Sequence, residues 1–131
     1  MREFTLGRQY SRQDISAEIG GNTQQYLPTK NKKVICACIK EEMNLPPNII
    51  LVGVRPRTIE TAGMLAEQGE KGESVPLFQQ NGPARWEYKG QFQAVDYILA
   101  EDQPALIEKY RKQAGRTSPV TGAIKITRTS D

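Results

Sequence analysis

Apolar residues in this chain gather in short runs divided by turn formers, not in long helical stripes. Val34-Ile35-Cys36-Ala37-Cys38-Ile39 is continuous, which predicts a strand buried on both faces. Lys40 to Asn48 breaks it with Asn44, Pro46 and Pro47. Ile49 to Val54 predicts the next strand, and Gly53 in it marks a bulge or a close backbone approach to a ligand. Val75-Pro76-Leu77-Phe78 predicts a short edge strand, because Pro76 has no N–H for a central ladder. Gln79 to Pro83 reads as a turn. Gly122 to Thr127 alternates and predicts a half-buried last strand, with Arg128 to Asp131 fraying. The lead-in, Met1 to Gly7, admits a strand around Glu3 to Leu6.

Three segments follow helical periodicity. Ser11 is a good N-cap, Asp14 stands at capping-box spacing, and Ile15 and Ile19 share a helix face before Gly20 and Gly21 stop it. Thr58 caps a second helix running to about Gln68, with Ile59, Ala62, Leu65 and Ala66 inward and Gly69 closing it. Asp102 caps a third, with Pro104 in its first turn and Leu106, Ile107 and Tyr110 inward, ending near Ala114. Asn22 to Lys33 reads as a polar loop holding Lys30, Lys32 and Lys33, the densest basic cluster.

Arg85 to Tyr97 is the densest aromatic stretch. It holds the only Trp, two of the five Tyr and one of the three Phe. Two such arms around Gly90 read as a β-hairpin with the loop Lys89-Gly90-Gln91. That register sets Trp86, Tyr88 and Phe92 on one face. The face serves either as core or as a stacking platform for a planar or cationic ligand such as a nucleic-acid base.

Arginines accompany two helix starts. Arg8, Tyr10, Arg12 and Gln13 surround the first, where backbone N–H groups favour an anion such as phosphate. Arg55 and Arg57 stand at the strand-to-helix junction after Gly53. Solvated arginines on an ordinary helix and loop are the plain alternative at both places.

At 131 residues the chain reads as one domain spanning 1–131, with 37% hydrophobic and 25% charged residues. A net charge of +3 permits an anionic partner without demanding one. Cys36 and Cys38 point the same way in a strand and read as buried, reduced thiols: too close for a disulfide, too few for zinc. The chain has no His. That excludes from it an HNH nuclease centre, Ser-His-Asp and Cys-His triads and His-ligated zinc. No apolar leader and no membrane-length run is present, so a cytoplasmic protein is expected, with no metal and no cofactor.

The element order predicts an α+β fold, a small curved or closed β-barrel with about three peripheral helices. Gly7-Arg8-Gln9-Tyr10-Ser11-Arg12, Gly20-Gly21, Val75-Pro76-Leu77-Phe78 and Trp86-Glu87-Tyr88-Lys89-Gly90-Gln91-Phe92 together resemble the PUA-like superfamily. Within it the likeness is to SRA-like and EVE-like domains found beside HNH nucleases in modification-dependent restriction enzymes. The resemblance implies a barrel with a pocket for a modified base flipped from the duplex. It implies stacking by Tyr10, Trp86, Tyr88 or Phe92, and phosphate contacts from Arg8, Arg12, Gln13, Arg55 and Arg57. The acidic residue that some such pockets turn toward the base has no clear match; Asp96 is the candidate by its nearness to the hairpin. With no nuclease module in it, the chain would read nucleic acid, DNA rather than RNA, alone or with a separate nuclease or other protein.

Two other functions fit the residues. Glu87-Tyr88-Lys89 matches the E-x-K half of a metal-dependent nuclease motif, but the only upstream Asp is Asp14, placed on a helix. A protein-interaction module of a phage or defence system is compatible with the modest charge.

Overall fold

In the computed structural model, which describes residues 4–40 and 48–130, the expected α+β barrel forms. The elements are β1 (Gln9–Tyr10), α1 (Arg12–Ile19), β2 (Thr29–Lys30), β3 (Lys33–Val34), β4 (Ala37–Lys40), β5 (Ile49–Val52), α2 (Pro56–Glu70), β6 (Val75–Gly82), β7 (Arg85–Leu99), α3 (Pro104–Gln113) and β8 (Gly122–Ser130). The main sheet has the order β4-β6-β7-β8-β5, with β1 added to β7. Its pairs are antiparallel except β4 with β6. The sheet curls into a nearly closed barrel, and β4 and β5 are its two terminal strands.

Both faces of the sheet are covered. One core packs Ala62 and Leu65 of α2 on Ala37, Ile39, Leu77, Phe92 and Ile124. A second, aromatic core joins Tyr10, Ile15, Phe78, Trp86, Tyr88 and the two cysteines, with Phe4 against them. A third seats α3 through Ile107 on Leu51, Ile98 and Ala123. The run from Val34 to Ile39 is buried from both sides, Ala37 and Ile39 serving one core and Cys36 and Cys38 the other, but it is not the single strand expected: β3 ends at Val34, β4 begins at Ala37, and the chain passes between two sheets at Ile35-Cys36.

The hairpin expected at Lys89-Gly90-Gln91 does not form; Arg85–Leu99 is one long strand, and its turn lies at Pro83-Ala84. Gly90 instead marks a bulge. Leu77 pairs with Gly90 and Phe78 with Tyr88, so Lys89 is an extra residue on β7. Gly90 has φ 111°, and a Cβ there would meet Ser130 O at 2.8 Å, which explains the glycine. The extra residue reverses side-chain parity. Trp86 and Tyr88 join the aromatic core while Phe92 packs under α2, so the three do not share a face.

Other boundaries move for local reasons. Pro76 is in an interior strand, but β4 begins to pair only at Leu77, so no rung to β4 is lost at Pro76. Gln79 to Gly82 continues β6. The last strand runs on to Ser130 without fraying, paired with Gln91. The lead-in strand lies at Gln9–Tyr10, after a turn at Gly7 (φ 81°), not at Phe4 to Leu6. The polar loop contains a small hairpin, β2–β3, turned by Asn31 and Lys32 with φ 54° and 64°. α1 keeps its predicted capping box, Ser11 with Asp14. α2 starts earlier, at Pro56 after Arg55, leaves Ile59 exposed and runs through Gly69. Gly69 is buried there, because a Cβ would lie 2.0 Å from Ala94 O on β7. Gln103, not Asp102, precedes α3, whose Ile107 is buried as expected. The break with Asn44, Pro46 and Pro47, together with Glu3 and Asp131, lies outside the described residues.

Candidate functional site

The two terminal strands of the barrel leave a seam, and a cavity of about 730 Å³ occupies it. Cys38 and Lys40 of β4 line one side; Leu51, Gly53, Val54 and Arg55, in and just after β5, line the other. Trp86 and Gln80 contribute from β7 and β6. The size falls within the range of roughly 300–1,000 Å³ typical of ligand pockets.

Tyr26 closes the seam at one end. Its carbonyl accepts from Cys38 N–H at 2.7 Å, which fixes its loop on the edge of β4. Its hydroxyl donates to Thr58 O in the first turn of α2 at 2.9 Å. Burial pushes the Tyr26 phenol well above its ordinary range, so it stays neutral and keeps donating.

Arg12, Lys40, Arg55 and Arg116 line the cavity, and no Asp or Glu is among its described lining residues. Arg12 stands with its guanidinium carbon 5.3 Å from the Trp86 ring centroid. Arg116 donates from Nε to Ser118 Oγ at 2.8 Å, and burial pulls its guanidinium down from the ordinary arginine range. Gly53 leaves Arg116 its room: a Cβ there would sit 3.0 Å from Nη2.

The candidates from sequence are dispersed. Arg12, Arg55 and Trp86 meet in the cavity lining. Tyr10 and Tyr88 are buried in the aromatic core around Phe78, and Phe92 lies in the α2 core. The guanidinium of Arg8 stacks on Tyr10 at 5.6 Å. Gln13 is exposed on α1. Arg57 is held by Glu60 at 3.1 Å and by Thr29 Oγ1 at 2.7 Å. Asp96 is exposed, opposite Lys125 in the ladder, and does not line the cavity. Sequence reading missed Tyr26, Lys40 and Arg116. Lys40, the first charge after an apolar strand, carried the one usable signal; Arg116 and Tyr26 sit in loops whose spacing says nothing of what they face.

Glu87 and Lys89, the E-x-K pair, bond each other at 2.7 Å, and Asn81 donates to the second Glu87 oxygen at 2.6 Å. Asp14 accepts from Ser11 N at 3.2 Å within its capping box. No group of three His, Cys, Asp or Glu side chains placed to hold a metal occurs among the described residues. Cys36 and Cys38 are buried and free, their sulfurs 3.9 Å apart. The contact between them and burial push the Cys36 thiol far above its ordinary range.

No family model and no curated protein matches this sequence. Solved structures do. The chain superposes over 98% of its length, with a TM-score of 0.62 at 14% identity, on a structure of the sulfur binding domain and SRA domain of ScoMcrA complexed with phosphorothioated DNA. The fold is SRA-like. A second match, at TM-score 0.59 and 14% identity over 98% of the chain, is the Type IV phosphorothioation-dependent restriction endonuclease ScoMcrA. The chain spans 41% and 29% of those two chains. No described helix is long and apolar enough to cross a membrane.

Proposed function

We propose that this SRA-like domain is a non-catalytic DNA-binding module that admits a modified base, turned out of the helix, into the seam cavity. One observation carries the reading: a cavity of about 730 Å³ in the seam of the barrel, lined by Trp86 together with Arg12, Lys40, Arg55 and Arg116. Extruding a base costs a few kcal/mol, which stacking and edge hydrogen bonds in a pocket offset. Trp86 supplies the aromatic wall, and the amides of Gln24 and Gln80 with the Thr58 and Ser118 hydroxyls reach the base edge. Arg55, at the exposed start of α2, and Lys40, exposed at the end of β4, hold the flanking phosphates. Tyr10, Tyr88 and Phe92 support the site as core, and Arg8, Gln13 and Arg57 lie on the outer surface available to the backbone. The likeness to a restriction endonuclease fits a cytoplasmic defence role in which a separate nuclease or other protein cuts.

Fluorescence anisotropy with matched single- and double-stranded oligonucleotides, plain and methylated at cytosine or adenine, at two salt concentrations, tests this. A modification-dependent gain that weakens in Trp86→Phe supports the reading. Equal affinity for every oligonucleotide, lost at modest salt, leaves charge alone at work and sinks it.

A further inference from the structure

We propose that the β2–β3 hairpin is a second DNA contact outside the cavity, with the Lys32 ammonium at its tip holding a backbone phosphate of the flanking duplex. The inference rests on the DNA-binding reading and adds to it a grip that reads no base. Thr29 pairs with Val34 and Lys30 with Lys33, so the loop is Asn31-Lys32 alone. Both residues have positive φ, 54° and 64°. Asn-Gly is the favoured pair for such a loop, because glycine takes the left-handed conformation without a side-chain clash. Asn31 follows that preference and Lys32 departs from it. A lysine here gives up local stability, and strain of this kind gathers where a side chain clamps a ligand. Lys32 is also the free member of its cluster. Lys33 pairs with Glu73 at 3.1 Å. Lys30 lies along Gly20 at the end of α1, where its Cδ would be 2.9 Å from a Cβ on that glycine. The Lys32 side chain is exposed and has no ion-pair or hydrogen-bond partner among the described residues.

A two-stranded ribbon this short does not hold itself together. The body of the domain holds it at its root. Gln68 of α2 bonds both peptide groups of Val34. Ile35 N–H donates to Pro28 O at 2.9 Å, and Arg57 donates to Thr29 Oγ1 at 2.7 Å. Leu27 and Val34 are buried in the α2 core. The tip is therefore mounted before DNA arrives, which lowers the ordering cost of the contact. It also stands close to the seam. Lys32 is six positions after Tyr26, which closes the cavity at one end, so the two lie within about 20 Å. Duplex DNA rises about 3.4 Å per base pair, so the tip reaches phosphates within about six base pairs of a base in the cavity.

The test compares the whole chain with Lys32→Gly, which removes the charge and relaxes the turn, and with Lys32→Arg, which keeps the charge. The probes are a 5-methylcytosine duplex and its plain counterpart, with about ten base pairs on each side of the cytosine, beyond the reach of the tip. Anisotropy over a salt series and thermal unfolding are both read. Lys32→Gly is expected to melt a few degrees higher yet bind both duplexes about tenfold more weakly at about 50 mM salt. Its slope of log affinity against log salt falls by about 0.9, the loss of one phosphate contact. Lys32→Arg binds as wild type does, and any preference between the two duplexes is the same in all three proteins. Wild-type affinity and slope in Lys32→Gly overturn the hairpin contact and leave the cavity reading intact. A Lys32→Gly protein that melts lower than wild type shows that the turn is unstrained and overturns the inference from strain. No binding of the wild type to either duplex overturns both this contact and the DNA-binding reading.

Discussion

Arg12 and Trp86 form the hinge between fold and site: the guanidinium carbon lies 5.3 Å from the indole centroid while Nη2 donates to Asn22 O and Gln25 O. One side chain anchors α1, the loop that carries Tyr26, and the aromatic wall of the cavity. Arg12→Lys keeps the charge but loses the planar fork. The expected cost is about 1–2 kcal/mol in urea unfolding, with faster proteolysis within residues 22–26. Unchanged stability and unchanged proteolysis would show that the loop is held by other means.

Gln68 of α2 pairs with the free edge of the small β2–β3 hairpin. Its Oε1 accepts from Val34 N at 2.8 Å and its Nε2 donates to Val34 O at 3.0 Å, as a neighbouring strand would. Gln68→Met leaves both peptide groups of Val34 unsatisfied in the interior. A loss of about 2–3 kcal/mol is expected by denaturant titration, with the slope unaltered.

Two glycines of α2 give opposite signs. Gly69→Ala would drive a methyl to 2.0 Å from Ala94 O, so it forces the helix off β7 and costs at least about 1–3 kcal/mol. Gly63→Ala meets nothing within 4 Å and gains about 0.5–1 kcal/mol of helix stability. Thermal unfolding of the pair checks both, and two shifts of the same sign would contradict the packing described here.

The Glu87 carboxyl is held below its ordinary 4.5 by hydrogen bonds from Lys89 and then Asn81. A carboxyl with a depressed folded-state pKa stabilises the fold above its unfolded value and loses that contribution as pH falls through the folded one. Wild type should therefore exceed Glu87→Gln in stability at neutral pH by a small margin that closes below about pH 4.5. Urea unfolding at stepped pH measures it; a gap that widens toward acid would reverse the assignment.

Much of the fold is legible in the residues. The capping box of α1 follows from its spacing, and the burial of the Val34–Ile39 run, of Ala62 and Leu65 on α2 and of Ile107 on α3 follows from periodicity, whereas the caps expected at Thr58 and Asp102 do not form and Ile59 faces outward. The bulge at Lys89 does not. A glycine between aromatic arms writes the same pattern for a hairpin turn and for a bulge in a long strand; only Ser130 and Leu77, distant in sequence, decide between them. The site was legible in Arg12, Arg55 and Trp86 alone. Tyr26 and Arg116 reach the cavity because β4 and β5, the ends of the sheet, curl toward each other, and that is a property of the closed barrel rather than of any local run.

Trp86 is the only tryptophan, and it lines the cavity, so its emission reports occupancy directly. Titrating the whole chain with a plain and a modified duplex, followed by tryptophan fluorescence and anisotropy together, tests the central claim. The account predicts a saturable change in Trp86 emission that tracks the anisotropy and appears at lower concentration with the modified duplex. Anisotropy that rises while Trp86 emission stays constant would place the DNA elsewhere on the surface and contradict a base-binding cavity.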